Sequence, residues 1–200
     1  DILRKEFNLI KRETPILADP VKSREGIYEI NDNFLSFWFY FIDRKKAYLE
    51  QERFDEIIRF FKENFPNYVG KKFERLITYL MRKKVLFCDY DFTRIGRQWG
   101  RILGAENGKN QYEIDILAVN DKSKEILFSE CKWQDRIDPI ELLNELERKS
   151  EYVDWNNEQR RERFAIFAKS FSTRVNSYGG RTVDCLDLNE LERAIKGKIQ

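Results

Sequence analysis

Apolar side chains recur at helical spacing through residues 33–66 and predict two consecutive helices. The first helix carries Phe34, Phe37, Trp38, Phe41 and Ile42. The second carries Phe54, Ile57, Ile58, Phe61 and Phe65. Leu35 and Phe39 make the first helix apolar nearly all round, so we expect it to be buried between two layers. Pro66 is expected to end the second helix, because proline lacks a backbone N–H. These aromatic helices would link the module before them to the domain after them.

Residues 1–32 show a different pattern, in which a helix end is followed by two short extended segments. The extended segments are Ile10–Leu17 and Gly26–Ile30, and the polar tip between them carries Lys22 and Arg24. A helix followed by a hairpin with a basic tip is the second half of a winged helix, a common DNA-binding module. The pattern therefore predicts a winged-helix remnant whose wing contacts DNA through the two basic residues.

From residue 67 onward the chain alternates between helical and strand patterns. Helices are predicted over residues 68–84, after the capping residue Asp138 and after the capping residue Asp187. Strands are predicted over residues 85–92, 112–119, 125–133, 163–168 and 182–186. The order α-β-β-β-α-β-β-α predicts an α/β domain over residues 67–200, with a mixed sheet flanked by helices.

Composition narrows the chemistry that this domain could carry. The 200 residues contain no histidine and three well-separated cysteines. The lack of histidine excludes a Ser-His-Asp triad and histidine-ligated zinc. An odd number of cysteines without a CxxC pair excludes a disulfide framework and fits a reducing cytoplasm. The sequence has no phosphate-binding glycine loop of the Walker type. No apolar run approaches the ~20 residues that span a bilayer, so no membrane association is expected.

Positive charge is concentrated in the middle third of a chain whose formal net charge is only +2. Residues 71–136 carry 14 basic and 10 acidic side chains, whereas the segments on either side each have a net charge of −1. Within this third, Arg94, Arg97 and Arg101 lie close to Trp99 in sequence. Arginine beside an aromatic ring suits phosphate contact and stacking on bases. We expect these arginines to bind DNA; a solvated arginine-bearing loop is the structural alternative.

The candidate catalytic residues lie on two strands that are predicted to form a hairpin around residues 120–124. Side chains alternate along a strand, so Glu130 and Lys132 share one face of the second strand. Hairpin pairing places Asp115 of the first strand almost opposite Ser129 or Glu130. Acids on buried strands are costly unless they are paired or bind a metal. Two carboxylates in this arrangement suit a hard divalent cation such as Mg²⁺ or Mn²⁺.

Each residue of this group has a chemical role and a structural alternative. Asp115 and Glu130 would bind the metal, and Lys132 would hold the attacking water and help deprotonate it, or balance charge in the transition state. A salt bridge from Lys132 to one of the two acids is the structural alternative, and it leaves the second acid unexplained. Glu74 lies at the rim of the apolar stripe of its helix, from which it could reach the group. A solvated glutamate is the alternative for Glu74.

These residues carry a resemblance to a known superfamily. The series is a helix with Glu74, a strand with Glu113-Ile114-Asp115, a strand with Glu130-Cys131-Lys132, and a capped helix. It resembles the PD-(D/E)XK nucleases, which include archaeal Holliday-junction resolvases and restriction endonucleases. Ile114 stands where the family name has proline, a loss that is common in that superfamily. The resemblance implies a restriction-endonuclease-like fold in which these acids and the lysine are catalytic.

Longer stretches are similar to the C-terminal half of a group of archaeal ATPases. The stretches are YEINDNFLSFWF (28–39), GKKFE (70–74), IGRQW (95–99) and ECKW (130–133). In those proteins a nuclease-like domain of unknown function follows a P-loop ATPase and a winged helix. The resemblance covers nearly the whole chain and implies that an ATPase domain of the same full-length chain is its partner. The ATP-site motifs themselves are not in this sequence.

The sequence therefore favours metal-dependent hydrolysis of DNA phosphodiesters, with Mg²⁺ or Mn²⁺ as the cofactor. The alternative from another class is a catalytically inactive DNA-binding or assembly module of the ATPase. A domain that binds only protein is a third interpretation. Assembly into a homo-oligomer is left open, and a cytoplasmic location is expected.

Overall fold

Two β-sheets organise the chain in the computed structural model, which describes residues 2–102, 104–106 and 110–199. The helices are α1 (Ile2–Lys5), α2 (Asn33–Phe37), α3 (Lys46–Glu50), α4 (Phe54–Arg82), α5 (Pro139–Ser150) and α6 (Leu188–Ile199). The strands are β1 (Ile10–Glu13), β2 (Ile27–Ile30), β3 (Arg94–Arg101), β4 (Gln111–Asn120), β5 (Glu125–Lys132), β6 (Arg161–Ala168), β7 (Ser177–Tyr178) and β8 (Arg181–Leu186). A π-helical turn (Trp38–Ile42) and a 3₁₀ turn (Asp43–Lys45) connect α2 to α3.

The chain divides into two compact units. The first unit comprises the residues up to Thr14 together with Asp19–Val69. The second unit comprises Pro15–Ala18 together with the residues from Gly70 on. The candidate catalytic residues all belong to the second unit.

β1 and β2 pair as an antiparallel hairpin in the first unit, and α1 precedes them. β1 ends at Glu13, before the predicted end at Leu17, because Pro15 has no N–H to donate to a partner strand. The loop that joins the two strands exposes Lys22 and Arg24. The helix-then-hairpin order predicted for this part of the chain is therefore present.

Phe41 is the centre of the aromatic core of the first unit, and only 1% of it is exposed. Its ring contacts the rings of Phe37, Tyr40, Phe60, Phe61, Phe65 and Tyr68. The prediction that the whole aromatic helix is buried is wrong within this chain, since Phe34 and Trp38 are 67% and 43% exposed. From Trp38 on, the π-helical turn is the physical reason. Its wider spacing moves residues 38–42 off the 3.6-residue stripe, and Phe41 is the one buried residue of that turn.

Helix α4 continues through Pro66, so the prediction that a helix ends there is wrong. Phe61 and Phe65 before the proline and Tyr68 after it all contact Phe41. This continuous aromatic stripe stabilises the helix across the hydrogen bond that proline cannot make. Neither α4 nor any other helix in the described part of the chain is long and apolar enough to cross a membrane.

The second unit contains a six-stranded mixed sheet in the order β3-β4-β5-β6-β8-β7. β3, β4 and β5 pair antiparallel, β5, β6 and β8 pair parallel, and β7 is antiparallel to β8. Alternate residues of β5 enter cores on the two faces of the sheet. Helix α5 covers one core, and α6 with the last turns of α4 covers the other. The predicted mixed sheet flanked by helices is confirmed, and four predicted strands match β4, β5, β6 and β8 to within two residues.

The strand predicted over residues 85–92 is wrong, because this segment forms turns and the edge strand β3 follows it. Lys84 and Phe87 both have φ at 52°, which interrupts an extended backbone. Leu86 and Tyr90 are nevertheless buried. The apolar pattern that predicted a strand therefore reflects turns that contribute side chains to the core.

Residues 15–18 form a strap along the outer edge of β3. The N–H of Ile16 donates to the carbonyl of Arg97 at 3.0 Å, and the N–H of Leu17 donates to Oε1 of Gln98 at 3.2 Å. The Gln98 amide in turn donates to the hydroxyl of Tyr112 at 3.2 Å. The strap satisfies the carbonyl of Arg97, a backbone acceptor that an open sheet edge would offer to another chain.

Replacing Phe41 by alanine should lower the free energy of unfolding by about 3–5 kcal/mol, because it removes the ring that the other aromatic side chains surround. Urea denaturation followed by circular dichroism measures this loss. Phe39→Ala is the matched control, since Phe39 is 46% exposed and should lose far less. Equal losses for the two variants would show that the burial of Phe41 does not stabilise the unit.

Candidate functional site

β4 and β5 separate at the point where the predicted acids lie. Ile116 opposite Ser129 is the last paired position of the ladder at this end. The next position brings Asp115 across from Glu130, one of the two partners that the sequence predicts. There, Oδ2 of Asp115 accepts a hydrogen bond from the backbone N–H of Cys131 at 2.8 Å. Because this N–H points from β5 toward β4, the Asp115 carboxylate lies in the gap between the two strands.

A β-bulge lies beside this gap. Two residues of β4, Asp115 and Ile116, stand opposite the single residue Arg97 of β3. Ile114 joins the core under α5, whereas Ile116 joins the core under α4 and α6. In a regular strand, residues two apart lie on the same face, so both isoleucines would share one face. The bulge interrupts this alternation and reorients the side chain of Asp115, which lies between them.

Glu130 is 4% exposed and is held by two lysines. Its Oε1 accepts a hydrogen bond from Nζ of Lys132 at 2.8 Å. Its Oε2 accepts one from Nζ of Lys149 at 3.2 Å, and Lys149 also pairs with Glu145 at 2.9 Å. The salt bridge weighed as the structural alternative for Lys132 is therefore present. Both oxygens of the buried carboxylate are engaged by ammonium groups.

Burial raises the pKa of two other carboxyl groups in the same place. It raises the pKa of Glu74 to about 7, against the opposing charge of Arg97. The charges of Glu113 and Glu130 add to the effect of burial on that pKa. Burial also raises the pKa of Asp115 well above its ordinary value, and the charges of Glu130 and Glu74 raise it further. The three predicted acids therefore lie close enough to repel one another.

The two lysines of the site stay charged at neutral pH. Burial lowers the pKa of Lys132, but the charges of Glu130 and Asp115 outweigh burial and the net pKa is raised. Burial likewise lowers the pKa of Lys149, and Glu130 and Glu145 outweigh it. Both side chains are therefore hydrogen-bond donors and positive charges in this arrangement, rather than proton acceptors.

The structure brings one of the three predicted arginines to the acids. Arg97 pairs with Glu113 and is among the charges that act on Glu74. Arg94 is engaged elsewhere, with Asp121 in the turn after β4 at 2.8 Å. Arg101 is exposed at the last position of β3. All three arginines lie on or at the end of a strand, so the loop considered as their structural alternative is not observed.

We call Glu74, Asp115, Glu130, Lys132 and Lys149 the acid–lysine cluster. Within the residues that the structure describes, no group of three or more acidic, cysteine or histidine side chains is placed to hold a metal ion. A metal here would depend on the two predicted ligands, one from β4 and one from β5, with other oxygens completing its coordination.

Residues 38–151 match a family described as archaeal and bacterial proteins of unknown function, DUF234. The chain belongs to the DUF234 family. The matched region runs from the π-helical turn to the residue after α5, and it contains the whole acid–lysine cluster. The cluster of this DUF234 chain is thus part of the segment by which the family is recognised.

A curated relative is an uncharacterized protein, MJECL04, of Methanocaldococcus jannaschii. It is 33% identical to the DUF234 chain over 185 residues, which is 90% of this chain and 38% of the relative. The chain therefore spans about two fifths of the relative's length. The matched length includes residues of both compact units, because it exceeds the size of either one.

Sequence reasoning misses Lys149 and Glu145. The two residues are spaced i, i+4 on α5 with the glutamate first, the favourable order for a helical ion pair. That spacing is a usable signal for the pair itself. Their contact with Glu130 follows only from the way α5 packs over β5, which no local pattern reveals.

The raised pKa values of the acids predict a stability that falls as pH rises. Glu74 binds its proton more tightly in the folded chain than at its ordinary pKa of 4.5. Its contribution to stability is full below about pH 4.5 and is lost as pH rises through about 7. The raised pKa of Asp115 acts in the same direction. In EDTA, Glu74→Gln should raise the free energy of unfolding at pH 7.5 by ~1–3 kcal/mol, and Asp115→Asn should raise it as well.

Urea denaturation at pH 5 and at pH 7.5 measures this difference. Glu158→Gln is the control, because Glu158 is exposed and lies outside the cluster. If the two cluster variants show the same pH dependence as the wild type, burial and repulsion do not raise the pKa of these two acids in the folded chain.

Proposed function

We propose that this DUF234 chain contains a metal-dependent deoxyribonuclease domain of the PD-(D/E)XK type. The observation that carries the proposal is the meeting of Asp115, Glu130 and Lys132 where β4 and β5 separate, with Glu74 on the neighbouring helix. The order of α4, the hairpin of β4 and β5, and the capped helix α5 is the order on which the sequence resemblance rests. A restriction-endonuclease-like fold is part of this proposal.

The chemistry of the donor set fits Mg²⁺ or Mn²⁺. Asp115 and Glu130 offer carboxylate oxygens, the ligands that these hard cations prefer. Each carboxylate has about four lone-pair sites, and the hydrogen bonds to Asp115 and Glu130 use only some of them. Burial raises the pKa of Asp115 and repulsion from Glu130 raises it further, and positive charge between the two groups would offset that repulsion. One or two carboxylates suffice for Mg²⁺ when water and substrate phosphate supply the other oxygens.

The roles of the side chains follow from their charge states. A bound divalent ion would supply Lewis-acid neutralisation of phosphoryl oxygens and a more acidic water. Lys132 is charged and its side chain is 33% exposed, so it can donate a hydrogen bond to the attacking water or to a phosphate oxygen. Because its pKa is raised, Lys132 balances charge rather than taking the water's proton. Glu74, with a pKa of about 7, is suited to take that proton near neutral pH.

The proposed substrate is DNA, and the proposed partner is an ATPase domain of the same full-length chain. Arg97 and Arg101 on β3 are one candidate set for phosphate contacts, and Lys22 and Arg24 of the hairpin are a second set. The length of the archaeal relative supports the partner, since this chain matches 38% of it and the remainder can hold another domain. A cytoplasmic location stays part of the proposal, in keeping with three cysteines that form no disulfide.

A catalytically inactive DNA-binding or assembly module is the second candidate. The observation that favours it is the pairing of both oxygens of Glu130 with lysines. A buried carboxylate with two ammonium partners is satisfied without any metal. In this interpretation Asp115 serves only as the acceptor for the N–H of Cys131.

Lys132→Met should lower Mg²⁺- or Mn²⁺-dependent cleavage of DNA on the order of 10²-fold or more, because it removes charge that stabilises the transition state. It should not weaken Mn²⁺ binding, since an ammonium group is not a metal ligand. Asp115→Asn should lose Mn²⁺ affinity and cleavage together. Cleavage of linear, nicked and branched DNA by the purified chain, beside Mn²⁺ titration, measures both properties.

Lys169→Met is the control for loss of a lysine, because Lys169 pairs with Asp135 outside the cluster. A folded wild type that cuts none of these DNA forms in either metal would favour the binding module instead.

Arg101→Ala should weaken DNA binding for every sequence alike and reduce the salt dependence by about one unit of log–log slope. Arg94→Ala is the matched control from the same strand, since Arg94 is held by Asp121 and should change binding less. Fluorescence anisotropy at several salt concentrations measures both. Unchanged binding in Arg101→Ala would move the DNA surface to Lys22 and Arg24.

A further inference from the structure

Lys149 has two acidic partners, and one of them is the proposed metal ligand. Its Nζ lies 3.2 Å from Oε2 of Glu130 and 2.9 Å from Oε1 of Glu145. Lys132 holds the other oxygen of Glu130 at the shorter distance of 2.8 Å. Of the two lysines, Lys149 therefore has the longer contact with the buried carboxylate and a second carboxylate at close range.

Lys149 can change its partner only by a movement of side chains, because the helix that carries it is fixed. Helix α5 is fixed on the sheet by Leu142, Leu143 and Leu146, all of which are buried. Only 16% of the Lys149 side chain is exposed, so water cannot fully replace a lost carboxylate partner. Glu145 is on the same helix one turn before it, and 43% of the Glu145 side chain is exposed. An ammonium group that leaves Glu130 can thus stay with Glu145 near the surface.

We propose that Lys149 is a built-in competitor for divalent cations at Glu130. It pairs with Oε2 of Glu130 until a cation takes that oxygen, and Glu145 then retains it. The inference rests on the proposed function in one respect, namely that Glu130 is a metal ligand. The competition weakens cation binding, because the ammonium group is tethered to α5 and has a high effective concentration at Glu130. Glu145 opposes this effect by drawing the ammonium group away.

The first test compares Mn²⁺ affinity of the wild-type chain and of Lys149→Met by isothermal titration calorimetry. Lys149→Met should bind Mn²⁺ at least about fivefold more tightly, within the usual range for coupled sites. Arg148→Met is the matched control: it removes the same charge from the next residue of α5, which is exposed. It should leave the affinity almost unchanged. Lys149→Gln keeps a hydrogen-bond donor for Glu130 and takes the place of Lys149→Met if that variant does not fold.

The second test separates competition from a general effect of charge. Glu145→Gln should weaken Mn²⁺ binding in the wild type, because Lys149 then has only Glu130 as a partner. It should have far less effect in the Lys149→Met background, where Glu145 acts on the site only through its weaker interaction with the charge of Lys132. Equal weakening in both backgrounds would mean that Glu145 acts through space, and it would overturn the inference.

The outcomes also distinguish the inference from the proposed function. Equal Mn²⁺ affinity of the wild type and Lys149→Met, with loss of binding in Asp115→Asn, overturns the competition and leaves the metal site standing. No Mn²⁺ binding by the folded wild type or by folded Lys149→Met overturns both. Tighter binding in Lys149→Met, with wild-type affinity restored in Lys149→Arg, supports the competition.

Discussion

The hydrogen bond from the backbone N–H of Cys131 to the carboxylate of Asp115 is the contact on which the candidate site depends. Two neighbouring strands cannot separate inside a sheet without leaving buried backbone groups unpaired. Here the side chain of Asp115 takes over the acceptor role at 2.8 Å, so β4 and β5 part without that penalty. The bulge beside it lets the Asp115 carboxylate replace a backbone carbonyl of β4 as the acceptor. Glu130 and Lys132 form their ion pair at the resulting gap.

Charge is distributed unevenly around this gap. Glu130 has two ammonium partners, whereas Glu74 and Asp115 carry raised pKa values because burial and mutual repulsion outweigh their compensation. A network selected only for stability would pair all three acids alike, or replace them by apolar side chains. Carboxyl groups with shifted pKa values beside a fully paired carboxylate are more typical of sites that act on a ligand.

Local patterns predicted the parts of the site that depend on local geometry. The turn after β4 and strand alternation placed Asp115 across from Ser129 or Glu130, and the observed register puts it across from Glu130. β3 was missed because its sequence contains glycines and arginines instead of alternating apolar residues, and its edge is completed by a distant strap. Lys149 was missed because its place over β5 is set by the packing of α5. Side chains that reach the site only through tertiary packing, such as Lys149, are those that no local sequence pattern predicts.

The strap of residues 15–18 has a consequence for how the chain is made. Leu17 and its partner Gln98 are separated by 81 residues. On a ribosome that adds about 5–20 residues per second, that separation corresponds to roughly 4–16 s of synthesis. During this interval the strap exists without the strand that it covers. Closing so long a loop also carries an entropy penalty that local hairpins avoid. The edge of the sheet can therefore be protected only well after the segment that protects it has been synthesised.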